Sequence, residues 1–507
     1  MGRTLATSTL ALIIGSGTAL ADLSPAAVWE NVERSLADGG SSVEIGARKE
    51  SANRLILDDV TVRQKAEGSE SFTMTFPRMV FEQIDGGQVR SVIEGNTLFT
   101  MRGTDIEGEA TSIDAVLEMP GNETVSSGSI DDMRHVYRIP SLRVTANVTD
   151  AETDAPFVVT MTELRGDQTI RLKDGGGNEQ GYALSAETME LSFDATMPAT
   201  EETESDGAAP DRVATSLRID GLGMTGTGAS PGGGLTLDSD AGAALRAGLS
   251  FEGRFESGPI SGTFASDHDD ETGERQSSSG TFALDAAALD LALSASGIIF
   301  GSTASNMAVQ LTDSTMDAPV SYQVADAKAR VNMPLLADEA EQPFALVYSL
   351  DGIMLDETTW AMMDPESSLP RDPASLAIDL DGTLMLRADL TDPEAGMEEE
   401  PPFQPRRLNV NRFAIDAVGA SALAEGALTF GEDVTRPVGT LNADVTGLNT
   451  LLDTLVSMGL MPADQVMGAR MMIAMFARPV DGDQNRLRTE LEFRENGSIF
   501  ANGQQIQ

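Results

Sequence analysis

The sequence predicts a mainly β protein, in which long, curved antiparallel sheet carries a few short amphipathic helices. Three observations predict it. Apolar residues alternate with polar ones through most of the chain, as where Leu487, Thr489, Leu491 and Phe493 are interleaved with Arg486, Arg488, Glu490 and Glu492, the period of a strand with one buried face. Clusters of Gly, Asp and Asn interrupt that alternation at short intervals, as turns and bulges do. Helical periodicity is concentrated near the two ends.

The chain begins with Arg3, an apolar run from Leu5 to Ile14 and then Ala19-Leu20-Ala21 before Asp22. That run is too short for a membrane span and ends in an A-x-A site, so residues 1–21 read as a Sec-type signal peptide cleaved after Ala21. Ser24 then caps a first helix opened by Pro25, whose stripe Val28, Trp29, Val32 and Leu36 ends at Gly39-Gly40. Strands follow. Leu55 and Leu57 precede Asp58-Asp59, Val60 and Val62 come after it, and Phe72, Met74 and Phe76 alternate up to Pro77. Further strands are expected over 92–101, 113–117, 142–148, 157–164 and 170–172.

A loose internal echo runs through these strands: LILDDVTV (55–62), LRIDGLGM (217–224), ALSASGII (292–299), VYSLDGIM (347–354) and LNADVTGLN (441–449). Each breaks an alternating run with small or acidic residues, which places either a kink that curves a long sheet or an ordinary hairpin turn. Loops or linkers are expected at 174–181, 198–211, 266–280 and 392–405. The chain divides into two β-rich regions, 22–305 and 306–507. In the second, Leu448, Leu451, Leu452, Leu455 and Val456 form one helical stripe ended by Gly459, Pro462 opens a second helix, and the pair makes a hairpin over 448–477. A last strand reverses at Asn496-Gly497 into Ile499 and Phe500.

With 34 Lys and Arg against 80 Asp and Glu, the net charge is −46. Nucleic acid is excluded as a default partner, and an anionic membrane surface repels the chain as a whole unless divalent cations intervene. There is no cysteine, which removes thiol catalysis, thiolate metal sites and disulfides, and suits a bacterial periplasm better than a eukaryotic secretory route. After the leader, no run reaches transmembrane length.

Several short motifs invite a chemical reading and fail it. Gly228-Ala229-Ser230-Pro231-Gly232 has the G-x-S-x-G pattern, but Pro231 lacks the N–H that an oxyanion hole takes from the residue after the serine. Gly221 to Gly226 fits G-x-G-x-x-G without a following helix to receive a phosphate. The two histidines, His135 and His268, sit in polar contexts and are expected at the surface; the acidic loop around His268 departs from a calcium loop at its glycine and at its twelfth position. Met458, Met461, Met467, Met471, Met472 and Met475 crowd the helical hairpin, where packing against the sheet is the favoured expectation and a groove for acyl chains or a partner helix the other. No catalytic, cofactor or metal residue is assigned.

The stretch WAMMDPESSLPRDP (360–373), the strand LAIDLDGTLML after it, the exported start leading to Trp29 and the closing LLDTLVSMGLMP module together resemble an uncharacterised bacterial envelope family, domain of unknown function 2125. That resemblance implies location and architecture, with no established activity. The strand-kink-strand grammar is more loosely similar to AsmA-like envelope proteins, whose long sheets are associated with lipid handling. The function expected is therefore non-enzymatic and periplasmic: a module binding a hydrophobic ligand or lipid, with an assembly scaffold that contacts an envelope protein through the Trp360 loop as the alternative.

Overall fold

A computed structural model describes residues 23–38, 40–65, 71–104, 110–149, 154–174, 176–197, 211–269, 273–392, 395 and 401–507. The expected signal peptide at 1–21 and the tract 198–210 lie outside the described residues. The chain opens with α1 (Pro25–Asp38), β1 (Ser41–Ser51), β2 (Arg54–Lys65), β3 (Ser71–Ile84), β4 (Gln88–Glu94), β5 (Thr97–Thr104), β6 (Ala110–Glu118), β7 (Glu123–Ser129) and β8 (Asp132–Thr149). It continues through β9 (Asp154–Leu172), β10 (Gly177–Met197), β11 (Asp211–Pro231), α2 (Leu237–Arg246), β12 (Ser250–Ser257), β13 (Ile260–Asp269), β14 (Arg275–Leu284), β15 (Ala286–Ser294) and β16 (Gly297–Asp313). The rest is β17 (Val320–Met333), β18 (Gln342–Leu355), α3 (Glu357–Met363), β19 (Ala374–Leu386), β20 (Phe403–Ala417), β21 (Ala420–Thr429), β22 (Val438–Thr446), α4 (Leu448–Ser457), α5 (Ala463–Phe476), β23 (Arg478–Val480), β24 (Asp483–Phe493), β25 (Ile499–Ala501) and β26 (Gln504–Gln505).

All these strands join one antiparallel sheet, so the mainly β expectation holds. The strands β1, β2 and β3 are neighbours, and then the ladder divides. The first half of β3 pairs with β5 and its second half with β4; β5 passes the ladder to β6, β4 passes it to β7, and both halves rejoin on β8. After β9 and β10 the same thing happens again: β11 divides onto β13 and β12, these hand on to β14 and β15, and the halves rejoin on β16. The two divided units have identical connectivity. From β16 the order runs simply through β22 to β24, so the two regions expected on either side of residue 305 share one continuous sheet.

A crease crosses this sheet. Left-handed φ values occur at Asp59 (53°), Glu163 (48°), Gly221 (64°), Asn306 (49°) and Gly352 (66°), one on each of β2, β9, β11, β16 and β18. The ladder steps over each of them, and Pro77 and Pro140 stand at the corresponding step of β3 and β8. Turns of the first divided unit lie on the same line: Gly95 packs against Pro77 and Gly121 against Pro140. A single expected strand over 92–101 is cut there into β4 and β5. The Asn306 amide donates to Asp285 Oδ2 at 2.8 Å, tying β16 to the turn between β14 and β15.

The crease shifts the apolar phase by one residue, from Leu55 and Leu57 to Val60 and Val62 on β2, and from Ile219 to Leu222 on β11. Both sides of Asp59 still enter one core, where Leu57 and Val60 lie with Trp29, Phe81 and Met133 beneath α1. The residue in the left-handed region takes up the odd step, keeping the apolar face on one side. Of the five echoing segments, those at 58–59, 220–221 and 351–352 are crease positions. The one at 292–299 is the β15–β16 hairpin, and the last is β22 running into α4 through Gly447.

Helices cap the two ends of the sheet. Ser24 accepts from the Ala27 N–H at the start of α1, and Trp29 meets Phe81 edge-on at 6.0 Å. At the far end, α4 rests on β21 and β24 through buried Leu452, and Gly459 (φ 72°) closes it as expected. Two helices carry no signal in the apolar pattern. Thr236 and Ser239 form a capping box on α2, and Asp356 caps α3 by accepting from the Thr359 N–H. Strand also replaces much of two expected loops, because β10 starts at Gly177 and β13 and β14 extend to Asp269 and from Arg275, and β20, starting at Phe403, takes the end of a third.

A candidate ligand face

Residues directly opposite one another in an antiparallel ladder point to the same side. By that rule Leu291, Phe300, Val331, Leu346, Leu380 and Val410 form one row across β15 to β20, which continues through Leu441 and Leu491. Beside it run Leu289, Tyr348, Ile378 and Phe413. Across the crease Leu191, Leu217, Phe282, Val309, Tyr322 and Leu355 make another. Glycines widen this surface: the Phe282 ring lies where a Gly262 side chain would stand, and the Phe264 ring does the same over Gly280.

Among the described residues the strands all belong to one sheet. Large side chains along them stay partly wet: Phe300 is 39% exposed, Tyr348 37%, Phe413 43% and Leu291 37%. An apolar face of this extent, left open between its end caps, retains a driving force of about 25 cal/mol for each Å² that a ligand covers.

The opposite face is ionic. Arg218 pairs with Glu190 directly across the ladder, Arg254 with Asp290 at 2.8 Å, Arg78 with Asp58 at 2.6 Å and Arg488 with Asp444 at 2.7 Å. The Arg78 guanidinium holds the Asp58 carboxyl below the ordinary aspartate range, and Arg134 does so for Asp167. A groove of about 1000 Å³ crosses the strands, and its lining takes in the row Leu191, Leu217, Phe282, Val309, Tyr322 and Leu355 as well as the polar residues beside it. Ser192, Ser216, Ser261, Thr263, Thr281 and Gln310 line it, with Arg143, Glu190 and Arg218 along one wall. These groups can hydrogen-bond a polar molecule.

The residues singled out in the sequence are scattered. Ser230 donates its hydroxyl to the neighbouring Pro231 carbonyl at the end of β11, and Gly221–Gly226 lies within that strand. His135 is buried, contrary to expectation: it alternates inward with Met133 and Tyr137, contacts Ser126 Oγ through Nδ1 at 2.8 Å, and burial lowers its pKa. His268 lies on β13 opposite Gln276. Trp360 sits on α3 with the Arg371 guanidinium 5.6 Å over its ring; Arg371 also pairs with Glu357, and buried Asp364 accepts from the Ser368 and Leu369 N–H groups. The loop is thus tied back to α3, and α3 to β17 of the body, where the Thr359 hydroxyl accepts from the Ser321 N–H at 2.8 Å.

Four of the six methionines of the hairpin overturn the favoured expectation of core packing, while Met458 and Met461 are half-buried. On α5 only Val466 is fully buried, while Met467, Met471, Met472 and Met475 are each more than 60% exposed. An apolar helix face looks the same in sequence whether a sheet covers it or not, so periodicity alone cannot separate the two cases.

Comparison with known proteins finds a family likeness over part of this chain. Residues 268–503, from the second divided unit to the last hairpin, match the family described as an uncharacterized protein conserved in bacteria (DUF2125). The likeness expected from the Trp360 stretch and the closing helices holds over that span. No curated protein and no solved structure matches the chain. Among the described residues, no helix is long and apolar enough to cross a membrane.

Proposed function

We propose that this chain is an exported periplasmic protein that binds hydrophobic ligands, the acyl chains of lipids, along the uncovered apolar face of its sheet. The observation that carries the reading is the row from Leu291 to Val410 and its neighbours, held in register across successive strands and left partly exposed. A protein that kept this surface empty in water would present an aggregation hazard, and an acyl chain laid across the strands removes it. Export is supported by the A-x-A site at Ala19 to Ala21 and by the absence of cysteine. The ligand is held by apolar contact alone, which favours breadth over chemical selectivity.

Native mass spectrometry after gentle extraction tests this. Lipid adducts are expected on the parent and are lost in a Phe300→Glu, Leu346→Glu double variant that still folds. A clean unliganded mass for the parent overturns the proposal.

A further inference from the structure

We infer that the groove running from Arg143 on β8 to Met354 on β18 binds an uncharged, polyhydroxylated ligand, a linear oligosaccharide. Two cross-strand rows make its polar lining. Ser192, Ser216, Thr263, Thr281 and Gln310 stand opposite one another in the first, and Glu190, Arg218, Ser261 and Gln323 belong to the second, with Ala283 and Ala308 between the last two. The rows lie two residues apart on every strand, so their side chains point the same way. Serine and alanine at so many of these places leave the depth that leucine or phenylalanine would fill. Ser216 and Thr263 bond each other at 2.7 Å, whereas the side chains of Ser192, Ser261, Thr281, Gln310 and Gln323 have no hydrogen-bond partner among the described residues.

The chemistry of this lining selects the class of ligand. Hydroxyls and amides both donate and accept, and so does each hydroxyl of a sugar. An anion is disfavoured: Arg143 faces Glu118 across the ladder, Arg218 is engaged by Glu190 and by Asp220 at 2.7 Å, and the whole chain carries −46. A cation fares no better, because Glu190 is held by Arg218 and Asp356 accepts from the Thr359 N–H. An uncharged molecule offering donors and acceptors at every step meets the groups that remain. Size and repeat suit a chain of sugars. About 1000 Å³ is at the upper end for small-molecule sites, and the lining repeats at the strand spacing of about 4.8 Å, close to the length of one pyranose ring. The row from Leu291 to Val410 lies across the crease, so occupancy of the groove stands independently of lipid there.

Isothermal titration of the purified protein with cellohexaose and with chitohexaose, two uncharged linear sugars, tests the inference. Saturable binding of at least one is expected, weakened at least about tenfold in a Thr281→Val, Gln310→Leu variant, which removes two hydrogen-bonding groups and keeps the shape of the lining. The melting curve of that variant should match the parent's, since neither side chain has a partner within the protein. Ser261→Leu, which fills the groove from the second row, should abolish binding. Added salt should leave the affinity unmoved, because no charge is exchanged. A Phe300→Glu, Leu346→Glu variant, altered across the crease, should bind the sugar as the parent does, so a failed lipid test leaves this one standing. Absence of binding to both sugars, or equal affinity in the parent and the Thr281→Val, Gln310→Leu variant, overturns the inference. So does a parent whose lipid adducts disappear on Ser261→Leu, since an acyl chain then fills the groove.

Discussion

Leu57 and Val60 are three residues apart on β2, a step that in a regular strand sends two side chains to opposite faces, yet both are wholly buried in one core beneath α1. Asp59, held at φ 53° between them, makes this possible. Its replacement by a β-branched residue places that side chain in a region costing about 1–2 kcal/mol. Asp59→Val is expected to lose that much in a denaturant titration, and Asp59→Gly to lose little or nothing.

Trp29 anchors α1 against Phe81 and is 1% exposed. Trp29→Ala should cost about 3–5 kcal/mol at that end of the sheet. Hydrogen exchange locates the loss: protection falls in β1 to β3, while β16 to β20, which share no core contact with α1, keep theirs.

His135 gives the fold a pH dependence above the carboxylate range. Burial holds its folded pKa below that of the unfolded chain, about 6.5. The unfolded state therefore binds the extra proton first, and stability present above about pH 6.5 is lost as the pH falls through that value. His135→Gln should flatten the stability curve below about pH 6.5, read by urea midpoints.

The paired aspartates act lower. Asp313 is brought down to about 2 chiefly by the Ser278 hydroxyl, with the Thr315 hydroxyl and N–H adding to it. Its folded pKa is depressed, so its contribution is present above the ordinary value of 3.8 and is lost as the pH falls toward about 2. Ser278→Ala should raise the Asp313 pKa, followed by carboxyl carbon NMR, and move the onset of acid unfolding upward.

Much of this fold was legible because its signals are local. Ser24-Pro25 with the Val28, Trp29 and Val32 stripe marks α1, and Gly459 and Pro462 bracket the turn between α4 and α5. The crease was half legible: Asp58-Asp59 and Asp220-Gly221 stood out, but the same residue types write hairpin turns, as at 292–299. What stayed hidden depended on partners far away in sequence. The polar run beside His135 concealed that alternate positions of β8 face Ser126 and the core. The open face of α5 could not be told from a covered one, and the division of β3 and β11 into half-ladders is a property of pairing that no single strand records.

The repetition of that divided unit, β3 to β8 and again β11 to β16, bears on how such a chain grows. Each unit begins and ends on a single long strand, so a copy can be spliced in or removed without disturbing the seam on either side, each spanning three inter-strand spacings, or about 14 Å. Reach thus becomes a modular quantity, and homologues of different length should differ in steps of whole units, with the capped ends unchanged.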